Sequence, residues 1–396
     1  MLLDSEKISR KRRKKTTNFF RNVITLEDRE KFSKYIDVGE ASTDSGEIAK
    51  DGKAASTDSS EIVKDSGEAS RDSNEIAEDS KAASTDGDAE VSRHIFHETS
   101  GMSFSSLYMW SKEYGYSYDI IENHLCVAGL SNFEGEPEAP FLFPVLPEGG
   151  VFETEHYRSV LEELDRRFEM TGKPFVMRLI PEEIKEIMQK VRPDRYIFIE
   201  DPSNYDYLYK TSDLAALRGK RFHGKKNHVN RFNSVYEGRF AIEDISDENA
   251  EEIIEFVKRI NAKKELKGVE RKLLRDEERM MEEIMNEYDQ IGLEGILLRI
   301  DGRPEGVAFG GRLGIDTIVE HVEKADVDYC GIYQKLNNEF CIRMQQRYAY
   351  VNREEDMGIE GLRRSKLSYK PIRLIKKYIA LHIDDTEAMD LYGSPF

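Results

Sequence analysis

Apolar residues follow two alternating spacings along this chain. Spacings of three and four residues predict helices over about 154–171, 181–190, 247–264, 271–288 and 332–347. Short runs rich in β-branched and aromatic residues predict strands between these helices, including PFVMRLI, YIFIE, TIVEHVEKAD and YAYVN. Because helices and strands alternate in two similar rounds, the pattern predicts a mixed α/β protein with two similar halves.

Two further features of the pattern concern a turn and the end of the chain. Asp301 and Gly302 lie between two apolar runs, and an Asp-Gly pair in that position favours a tight hairpin turn. The apolar run near the C-terminus predicts a final helix from about Pro371 to His382.

Charged residues and glycines are mixed between Tyr350 and Pro371, directly after a predicted strand. Glycine lets the backbone approach a ligand closely, and opposed charges shift one another's pKa values. This composition indicates a cleft that binds a polar substrate and moves a proton. The alternative is a salt-bridged connector between the strand and the last helix.

An acidic 14-residue repeat precedes the globular pattern. Its units begin at Ala41, Ala55, Ala69 and Ala83. Residues 40–93 hold 15 acidic and 6 basic residues, which supply half of the formal net charge of −18. With one isoleucine per complete unit and no aromatic residue, the composition predicts a disordered insertion rather than a coiled coil. Since the acidity is local, the net charge does not exclude a nucleic-acid partner.

The N-terminus and the cysteines indicate where the protein works. The basic run Arg10–Lys15 suits contact with RNA or with an anionic membrane surface, and a solubilising tail is the alternative. Cys126, Cys330 and Cys341 have neither disulfide nor metal-site spacing. No signal-peptide core is present, and no run approaches the roughly 18 apolar residues of a membrane helix. We therefore expect a reduced, cytoplasmic protein without a transmembrane segment, whose oligomeric state the sequence does not determine.

Five segments, taken in order, carry a family resemblance. They are FSSLYMW (104–110), LYKTSDLAALRGKRFHGKKNHVNRF (208–232), HVEKAD (321–326), GIYQKLNNEF (331–340) and VNREEDMGIEGLRRSKLSYKP (351–371). Over about residues 20–39 and 94–385 the chain resembles the C-terminal catalytic part of bacterial phosphatidylglycerol lysyltransferases and its soluble relatives. We expect it to lack the flippase portion of the lysyltransferases, and it carries the repeat insert.

The resemblance implies two tandem domains like the N-acetyltransferases of the GNAT class, an α/β fold. We expect a basic tail over 1–16, a first GNAT-like domain over 17–200 interrupted by the insert at 40–93, and a second over 201–396 with the active cleft. In the lysyltransferases the activity is aminoacyl transfer from charged tRNA. The resemblance therefore implies an aminoacyltransferase that uses charged tRNA as donor and needs no cofactor.

The basic part of the second segment is the candidate RNA contact, because its cations are dense enough to hold several phosphates. Its candidate RNA-binding residues are Arg218, Lys220, Arg221, Lys225, Lys226, Asn227, His228 and Arg231. A solvated basic helix face is the alternative. His223 and His228 have no third ligand at a suitable spacing, so no metal site is predicted.

Transfer from an aminoacyl ester needs a base for the acceptor and donors for the oxyanion. His321 and Glu323 alternate along a predicted strand, so both are expected on one face of it, and either is a candidate base. The full set of candidate catalytic residues is His321, Glu323, Glu354, Asp356, Lys366 and Tyr369. The candidate substrate-binding residues around the same cleft are Tyr333, Gln334, Asn337, Asn352, Arg353, Arg363 and Lys370.

Two other functions remain open from the sequence. Acyl-CoA-dependent N-acyl transfer is common in this fold, but it cradles the CoA pyrophosphate on the amides of a glycine-rich loop. The corresponding segment Asp326–Gly331 has a single glycine and two carboxylates, which disfavours a CoA site. The other alternative is a non-catalytic tandem domain that binds RNA or a partner, although such a protein has little reason to keep carboxylates beside lysines in a cleft.

Overall fold

The structure is a computed structural model that describes residues 19–37, 93–94, 99–131, 139–264 and 269–392. The basic run near the N-terminus and the 14-residue repeat lie outside the described residues, so the predictions made for them stay predictions. The helices in the described part are α1 Arg29–Ile36, α2 Phe104–Ser111, α3 Thr154–Thr171, α4 Glu182–Val191, α5 Thr211–Ala216, α6 His223–Val235, α7 Ala250–Ala262, α8 Val269–Met285, α9 Tyr288–Ile291, α10 Ile332–Met344, α11 Glu360–Ser368 and α12 Thr386–Tyr392.

The strands of the described part form two large sheets and one small one. They are β1 Asn22–Val23, β2 Arg93–His94, β3 Ser117–Ile121, β4 His124–Ser131, β5 Ala139–Leu142, β6 Leu146–Pro147, β7 Val151–Phe152, β8 Val176–Pro181, β9 Tyr196–Glu200, β10 Asp206–Lys210, β11 Phe240–Asp244, β12 Leu293–Ile300, β13 Arg303–Leu313, β14 Thr317–Ala325, β15 Tyr350–Asn352, β16 Arg373–Ile375 and β17 Lys377–His382. The first sheet has the order β1-β3-β4-β5-β8-β17-β9, with β6 paired to β4, and the second has the order β11-β12-β13-β14-β15-β10-β16.

The two large sheets repeat one arrangement. In the first, β5 and β8 are parallel and joined by a crossover containing α3; in the second, β14 and β15 are parallel and joined by one containing α10. The other strand pairs of both sheets are antiparallel in the part of the chain that the structure describes. The predicted mixed α/β fold with two similar halves is therefore confirmed.

The expected hairpin turn is present, because Asp301 and Gly302 have φ of 50° and 79°, as a primed two-residue turn requires. The prediction of a final helix over about 371–382 is wrong. That segment forms β16 and β17, and β17 lies between β8 and β9 with all six of its residues buried. A buried central strand reads as a continuous apolar run, which periodicity alone cannot distinguish from a buried helix.

Two contacts join the halves near the candidate cleft. Strand β17 follows the second sheet in the chain but completes the first. Helix α2 of the first half packs against β13 of the second half, and Met109 belongs to the apolar cluster under β12 and β13. Residues of α2 therefore lie beside the strands that carry the predicted catalytic residues.

Candidate active site

Strand β14 carries the candidate bases, and a β-bulge redirects one of them. Phe309 pairs with Val322 and Gly310 pairs with Glu320, so His321 is the extra residue of β14. A bulge breaks the strict alternation of side chains along a strand. The expectation that His321 and Glu323 share one face of the strand is therefore wrong. Glu320 and Glu323 contact the same guanidinium, whereas His321 contacts Glu354 and Ser105.

Arg353, just after β15, lies between these two carboxylates. Its guanidinium donates to Glu320 through Nε and to Glu323 through a terminal nitrogen, and its side chain is 10% exposed. Burial raises the pKa of Glu323 to about 7, because it removes the water that would stabilise the carboxylate. The charge of Glu320 raises this pKa further. The Arg353 guanidinium lowers it, but one guanidinium shared by two carboxylates does not offset the rise. Glu323 can therefore take up and release a proton near neutral pH.

Tyr369 lies between Arg353 and the basic residues of 218–231, which are called the basic segment below. The Arg353 guanidinium lies 5.2 Å from the centroid of the Tyr369 ring, and the Lys225 ammonium lies 3.9 Å from the same centroid. Burial lowers the pKa of Lys225, and the nearby charge of Arg353 lowers it further. Below, Glu320, Glu323, Arg353, Tyr369 and Lys225 are called the Glu323 site.

Helix α10 covers this site with a polar face. Tyr333, Asn337 and Cys341 are four residues apart and lie on one side of the helix. Burial raises the pKa values of Tyr333 and Cys341, and the charge of Glu323 contributes to both rises, which places this face beside Glu323. Among the described residues, neither amide atom of the fully buried Asn337 has a hydrogen-bond partner, and the same holds for Glu320 Oε1. Unpaired buried polar atoms are rare, so this face has free capacity for polar atoms of a ligand.

His321 forms a hydrogen-bonded chain that crosses between the two halves. Its Nδ1 lies 2.8 Å from Glu354 Oε1, and its Nε2 lies 2.7 Å from Ser105 Oγ. The His321 side chain is 2% exposed, so both ring nitrogens are occupied by protein groups away from water. A Cβ at Gly311 would lie 2.0 Å from Ser105 Oγ, so only glycine leaves room for this hydroxyl.

The candidate residues Asp356, Arg363 and Lys366 hold the loop after β15. Asp356 accepts hydrogen bonds from Tyr207 Oη at 2.6 Å and from Arg363 Nε at 2.8 Å. Burial acts to raise the pKa of Asp356, but these hydrogen bonds outweigh it and lower the pKa. Lys366 Nζ donates to the carbonyl oxygens of Arg353, at 2.5 Å, and Glu355. These three side chains are engaged in fixing the loop.

Asn352 belongs to a buried polar cluster behind the loop. Its Nδ2 donates to Asp206 at 3.1 Å, and its Oδ1 accepts from the amide of Glu354 at 2.8 Å. Asp206 in turn binds Lys377 Nζ at 2.6 Å, with both side chains almost completely buried. Burial raises the pKa of the neighbouring Glu355 to about 7 against the attraction of Lys377. Asn352 therefore positions Glu354 through its amide.

Two candidates have a looser connection to the site. Gln334 is half-buried on α10, next to Tyr333 in sequence, and Lys370 is exposed directly after Tyr369. Across the described ranges no side-chain hydrogen bond joins either residue to the Glu323 site.

The basic segment presents most of its polar residues to solvent. Its exposed members are Arg218, Lys220, Arg221, Lys226, Asn227, His228 and Arg231, whereas Lys225 is half-buried against Tyr369. Arg221 binds Asp213 at 2.6 Å, so its charge is partly compensated. The segment thus combines an exposed cationic surface with one lysine that reaches the Glu323 site.

The loop before α10 has few free amides. The amides of Asp328, Tyr329 and Cys330 donate to Asp326 Oδ1, Asp326 O and Tyr236 Oη respectively. A Cβ at Gly331 would lie 2.7 Å from the carbonyl oxygen of His228, so α6 packs closely against this loop. Lys263 binds both carboxylates of the loop, Asp326 at 2.6 Å and Asp328 at 2.7 Å.

Sequence reasoning missed Ser105, Glu320 and the position of Lys225 beside Tyr369. Ser105 stands in the segment FSSLYMW, but nothing in that segment pairs it with a histidine 216 residues away. Glu320 precedes HVEKAD directly, and only the bulge brings it beside Glu323.

Within the described residues, no helix is long and apolar enough to cross a membrane.

Comparisons with known proteins indicate the family and the fold of this chain. A family model described as phosphatidylglycerol lysyltransferase, C-terminal, matches residues 93–381. A conserved protein of unknown function from Bacteroides thetaiotaomicron is 31% identical, with 72% of this chain and 91% of that chain covered and a TM-score of 0.63. The C-terminal domain of a putative lysylphosphatidylglycerol synthetase from Agrobacterium fabrum is 11% identical, with 73% and 90% covered and a TM-score of 0.51. The predicted tandem GNAT-like α/β fold is confirmed.

One curated relative is also similar. It is an uncharacterized protein of Mycoplasmoides gallisepticum, 27% identical over 180 residues. The match covers 45% of this chain and spans 56% of the length of that relative.

Proposed function

The chain belongs to the phosphatidylglycerol lysyltransferase C-terminal family, and from this premise we propose that it transfers an aminoacyl group from charged tRNA to an amine or hydroxyl acceptor. The observation that carries the proposal is the contact of Lys225 with Tyr369. Through it, an exposed cationic helix suited to RNA phosphates adjoins a buried carboxyl group whose pKa is about 7. With the basic segment as the RNA contact and Glu323 as the proton acceptor, the two would be neighbours, as this reaction requires.

The donor is held by charge and position. An aminoacyl ester is already activated, so the protein has to align it with the acceptor and stabilise the tetrahedral oxyanion. Exposed cations of the basic segment bind phosphates near the 3′ end of the RNA. Lys225, at the boundary between this segment and the Glu323 site, supplies positive charge near the ester carbonyl.

Glu323 is the base in this proposal. Its carboxylate takes the proton of the acceptor amine or hydroxyl, the acceptor attacks the ester carbonyl, and the bond to the ribose oxygen breaks. The released ribose oxygen takes the proton held by Glu323, which regenerates the carboxylate. Glu323 suits the task because its pKa of about 7 makes the carboxylate available at neutral pH and its conjugate acid an effective donor.

His321 acts through its neighbours. Both of its ring nitrogens are occupied, by Glu354 and Ser105, so it does not meet the acceptor directly in this arrangement. It orients the Glu354 carboxylate, whose side chain is 27% exposed and adjoins Arg353 in the chain. His321 and Ser105 are therefore positioning residues, and Glu354 is the member of this chain that can reach a substrate.

Acyl-CoA as donor is less well supported. A CoA pyrophosphate needs free backbone amides at the start of α10, and three amides of this loop are engaged within the protein. The close packing of His228 on Gly331 also fills the space beside the loop. These contacts favour an aminoacyl ester as donor.

Binding of charged tRNA tests the proposal. Arg218, Lys220, Lys226 and Arg231 are changed together to Gln, and a matched control changes the exposed Lys34, Lys173, Lys190 and Arg303 to Gln. In filter binding, the first variant should show a shallower salt dependence, by roughly 0.7 to 0.9 in log–log slope for each phosphate that is no longer neutralised, and a higher KM for the donor. Equal effects of both variants would contradict a specific RNA contact here.

A further inference from the structure

Three aromatic side chains form a row where the two halves meet. The ring centroids of Trp110 and Tyr114 lie 5.8 Å apart, and those of Tyr114 and Tyr116 also lie 5.8 Å apart, with an angle of 20° between the ring planes. Trp110 packs against the apolar cluster under β12 and β13, whereas Tyr116 packs against the core of the first half. All three side chains are half-buried. Trp110, Tyr114 and Tyr116 are called the aromatic row below.

The backbone around the row holds it in place. The amide of Tyr116 donates to the carbonyl oxygen of Ser111 at 2.8 Å. The carbonyl oxygen of Tyr114 accepts from the amide of Leu130, also at 2.8 Å. A Cβ at Gly129 would lie 2.7 Å from the Tyr116 ring, so this ring packs directly on the backbone of β4. The row is therefore a preformed surface, which lowers the entropy cost of binding a ligand.

Glu355, in the loop after β15, lies beside the row. Burial raises the pKa values of Tyr114 and Tyr116, and the charge of Glu355 contributes to both rises, which places its carboxylate near both phenols. Lys366 holds this part of the loop by donating to the carbonyl oxygen of Glu355. Among the described residues, no side chain is hydrogen-bonded to the Glu355 carboxylate or to either phenolic oxygen. All three groups are thus available to a ligand.

The cations near Glu355 have other partners. Lys377 Nζ is bound to Asp206 at 2.6 Å, and the Arg178 guanidinium lies 5.7 Å from the centroid of the Phe141 ring. In the described ranges of the chain, no salt bridge joins a cation to the Glu355 carboxylate. The faces of aromatic rings are negative, so a half-buried carboxylate beside them favours an organic cation.

We propose that the aromatic row and Glu355 bind the ammonium group of a small organic amine. The Glu355 carboxylate pairs with the charge, and the ring faces contact the cation and the carbon atoms next to it. A nucleotide is a poorer occupant, because its base would stack on the rings but its phosphate would be repelled by Glu355.

The place of this amine in the transfer reaction rests on the proposed function. Glu355 directly follows Glu354, whose carboxylate is bonded to His321. A protonated nitrogen has no lone pair with which to attack an ester, so the bound ammonium anchors the acceptor. A second amine or a hydroxyl of the same molecule is then the nucleophile that gives its proton to Glu323. Binding of the ammonium does not depend on this role, so the two ideas fail independently.

The fluorescence of Trp110, the single tryptophan of the chain, tests the binding directly. The full chain is titrated with butylammonium chloride and, at equal ionic strength set with potassium chloride, with butanol. We expect a saturable change in emission with butylammonium, with a Kd of roughly 1 mM. Butanol has the same alkyl chain without the charge and should give no saturable change. Equal responses to the two probes would overturn the proposal.

Variants separate the contributions of charge and ring. Glu355→Gln should raise the Kd for butylammonium roughly tenfold, because the charged partner is lost. Tyr114→Leu should raise it roughly threefold to tenfold, whereas Tyr114→Phe keeps the ring face and should bind as the unmodified protein does. The matched control Glu360→Gln, at an exposed carboxylate of α11, should also bind normally. Equal losses in Glu355→Gln and Glu360→Gln, or in both Tyr114 variants, would contradict the site.

Two further readouts complete the test. Saturation-transfer NMR on the methylene protons of butylammonium detects binding without relying on Trp110, and no signal in either method would overturn the proposal. With aminobutanol as acceptor, loss of labelled aminoacyl ester should show a KM roughly tenfold lower than with butanol, and Glu355→Gln should remove this difference. Equal KM values in the unmodified protein would overturn the anchoring role. A protein that binds butylammonium but never consumes aminoacyl ester would contradict the proposed function and leave the binding site intact.

Discussion

At the scale of single residues, the central feature is one guanidinium between two buried carboxylates. Arg353 contacts both Glu320 and Glu323, and it cannot fully compensate both. The consequence is a raised pKa at Glu323, which turns an ordinary acid into a group that exchanges a proton near neutral pH. Asn337 beside it has no internal hydrogen-bond partner among the described residues, so the same place can receive polar substrate atoms.

The change Glu323→Gln should remove the base. The rate of transfer should fall about 10²- to 10⁴-fold, which is the usual contribution of a positioned general base. The matched control Glu248→Gln, at an exposed position, should leave the rate unchanged. Normal activity of the Glu323→Gln variant would exclude Glu323 as the base.

The pH dependence follows from the same carboxyl group. The active form of a base is the deprotonated one, so a pKa of about 7 predicts a rate that rises through pH 7 and levels off above it. Single-turnover rates between pH 5.5 and 8.5 measure this limb. A flat profile over that interval would mean that Glu323 does not titrate there.

Ser105→Ala should misplace His321 without unfolding the protein. The change removes the 2.7 Å hydrogen bond with His321 and the 3.2 Å hydrogen bond with Ser103 Oγ, each worth about 1 kcal/mol of folding free energy. We expect a lower kcat with an unchanged KM for the RNA donor, together with a changed ring-nitrogen signal of His321 in ¹⁵N NMR. An unchanged NMR signal would show that Ser105 does not fix the imidazole.

The sequence predicted the members of this site better than their contacts. His321, Glu323 and Arg353 were all singled out from charge and spacing, but a period of two placed His321 with Glu323. The bulge that pairs Gly310 with Glu320 depends on the partner strand, which the local pattern of β14 does not contain. Ser105 could not be predicted for the same reason, because its contact with His321 depends on how α2 packs on β13.

At the scale of elements, strand β17 ties the end of the chain to the first sheet. Strand β17 is part of the first sheet. Its Lys377 neutralises the buried carboxylate of Asp206, which lies on β10 of the second sheet. Helix α3 agrees with the bounds predicted for it, because its amphipathic face is clear. Segment 371–382 was misassigned because a fully buried strand lacks a distinctive period, and α11 was missed because none of its residues is buried.

Lys377→Met should be strongly destabilising. It leaves Asp206 buried without its cation, and breaking a buried pair in this way costs about 3–5 kcal/mol. Urea unfolding followed by circular dichroism measures the decrease in stability. The exposed Lys376→Met is the matched control and should shift the free energy of unfolding by less than about 0.5 kcal/mol.

At the scale of the whole molecule, the two halves are joined by more than the chain between them. Strand β17 is internal to the first sheet, and Met109 and Trp110 of α2 pack into an apolar cluster of the second half. The candidate active site also contains residues of both halves, since Ser105 of the first is hydrogen-bonded to His321 of the second. The arrangement brings a basic helix and a buried carboxyl group together in the second half.

This coupling predicts a single unfolding transition. Trp110 reports on α2, whereas far-ultraviolet circular dichroism reports on all helices and strands. Urea curves from the two probes should coincide, as expected for one cooperative unit. Two separated midpoints would show that the halves unfold independently.

The most direct test of the central claim is the fate of the donor. Purified protein is added to a total pool of tRNA charged with labelled amino acids, and labelled acetyl-CoA is offered in parallel with the same mixture of amines and lipids. We predict accelerated loss of one aminoacyl ester, which Glu323→Gln abolishes. Consumption of acetyl-CoA, with every aminoacyl ester decaying only at its spontaneous rate, would contradict the account.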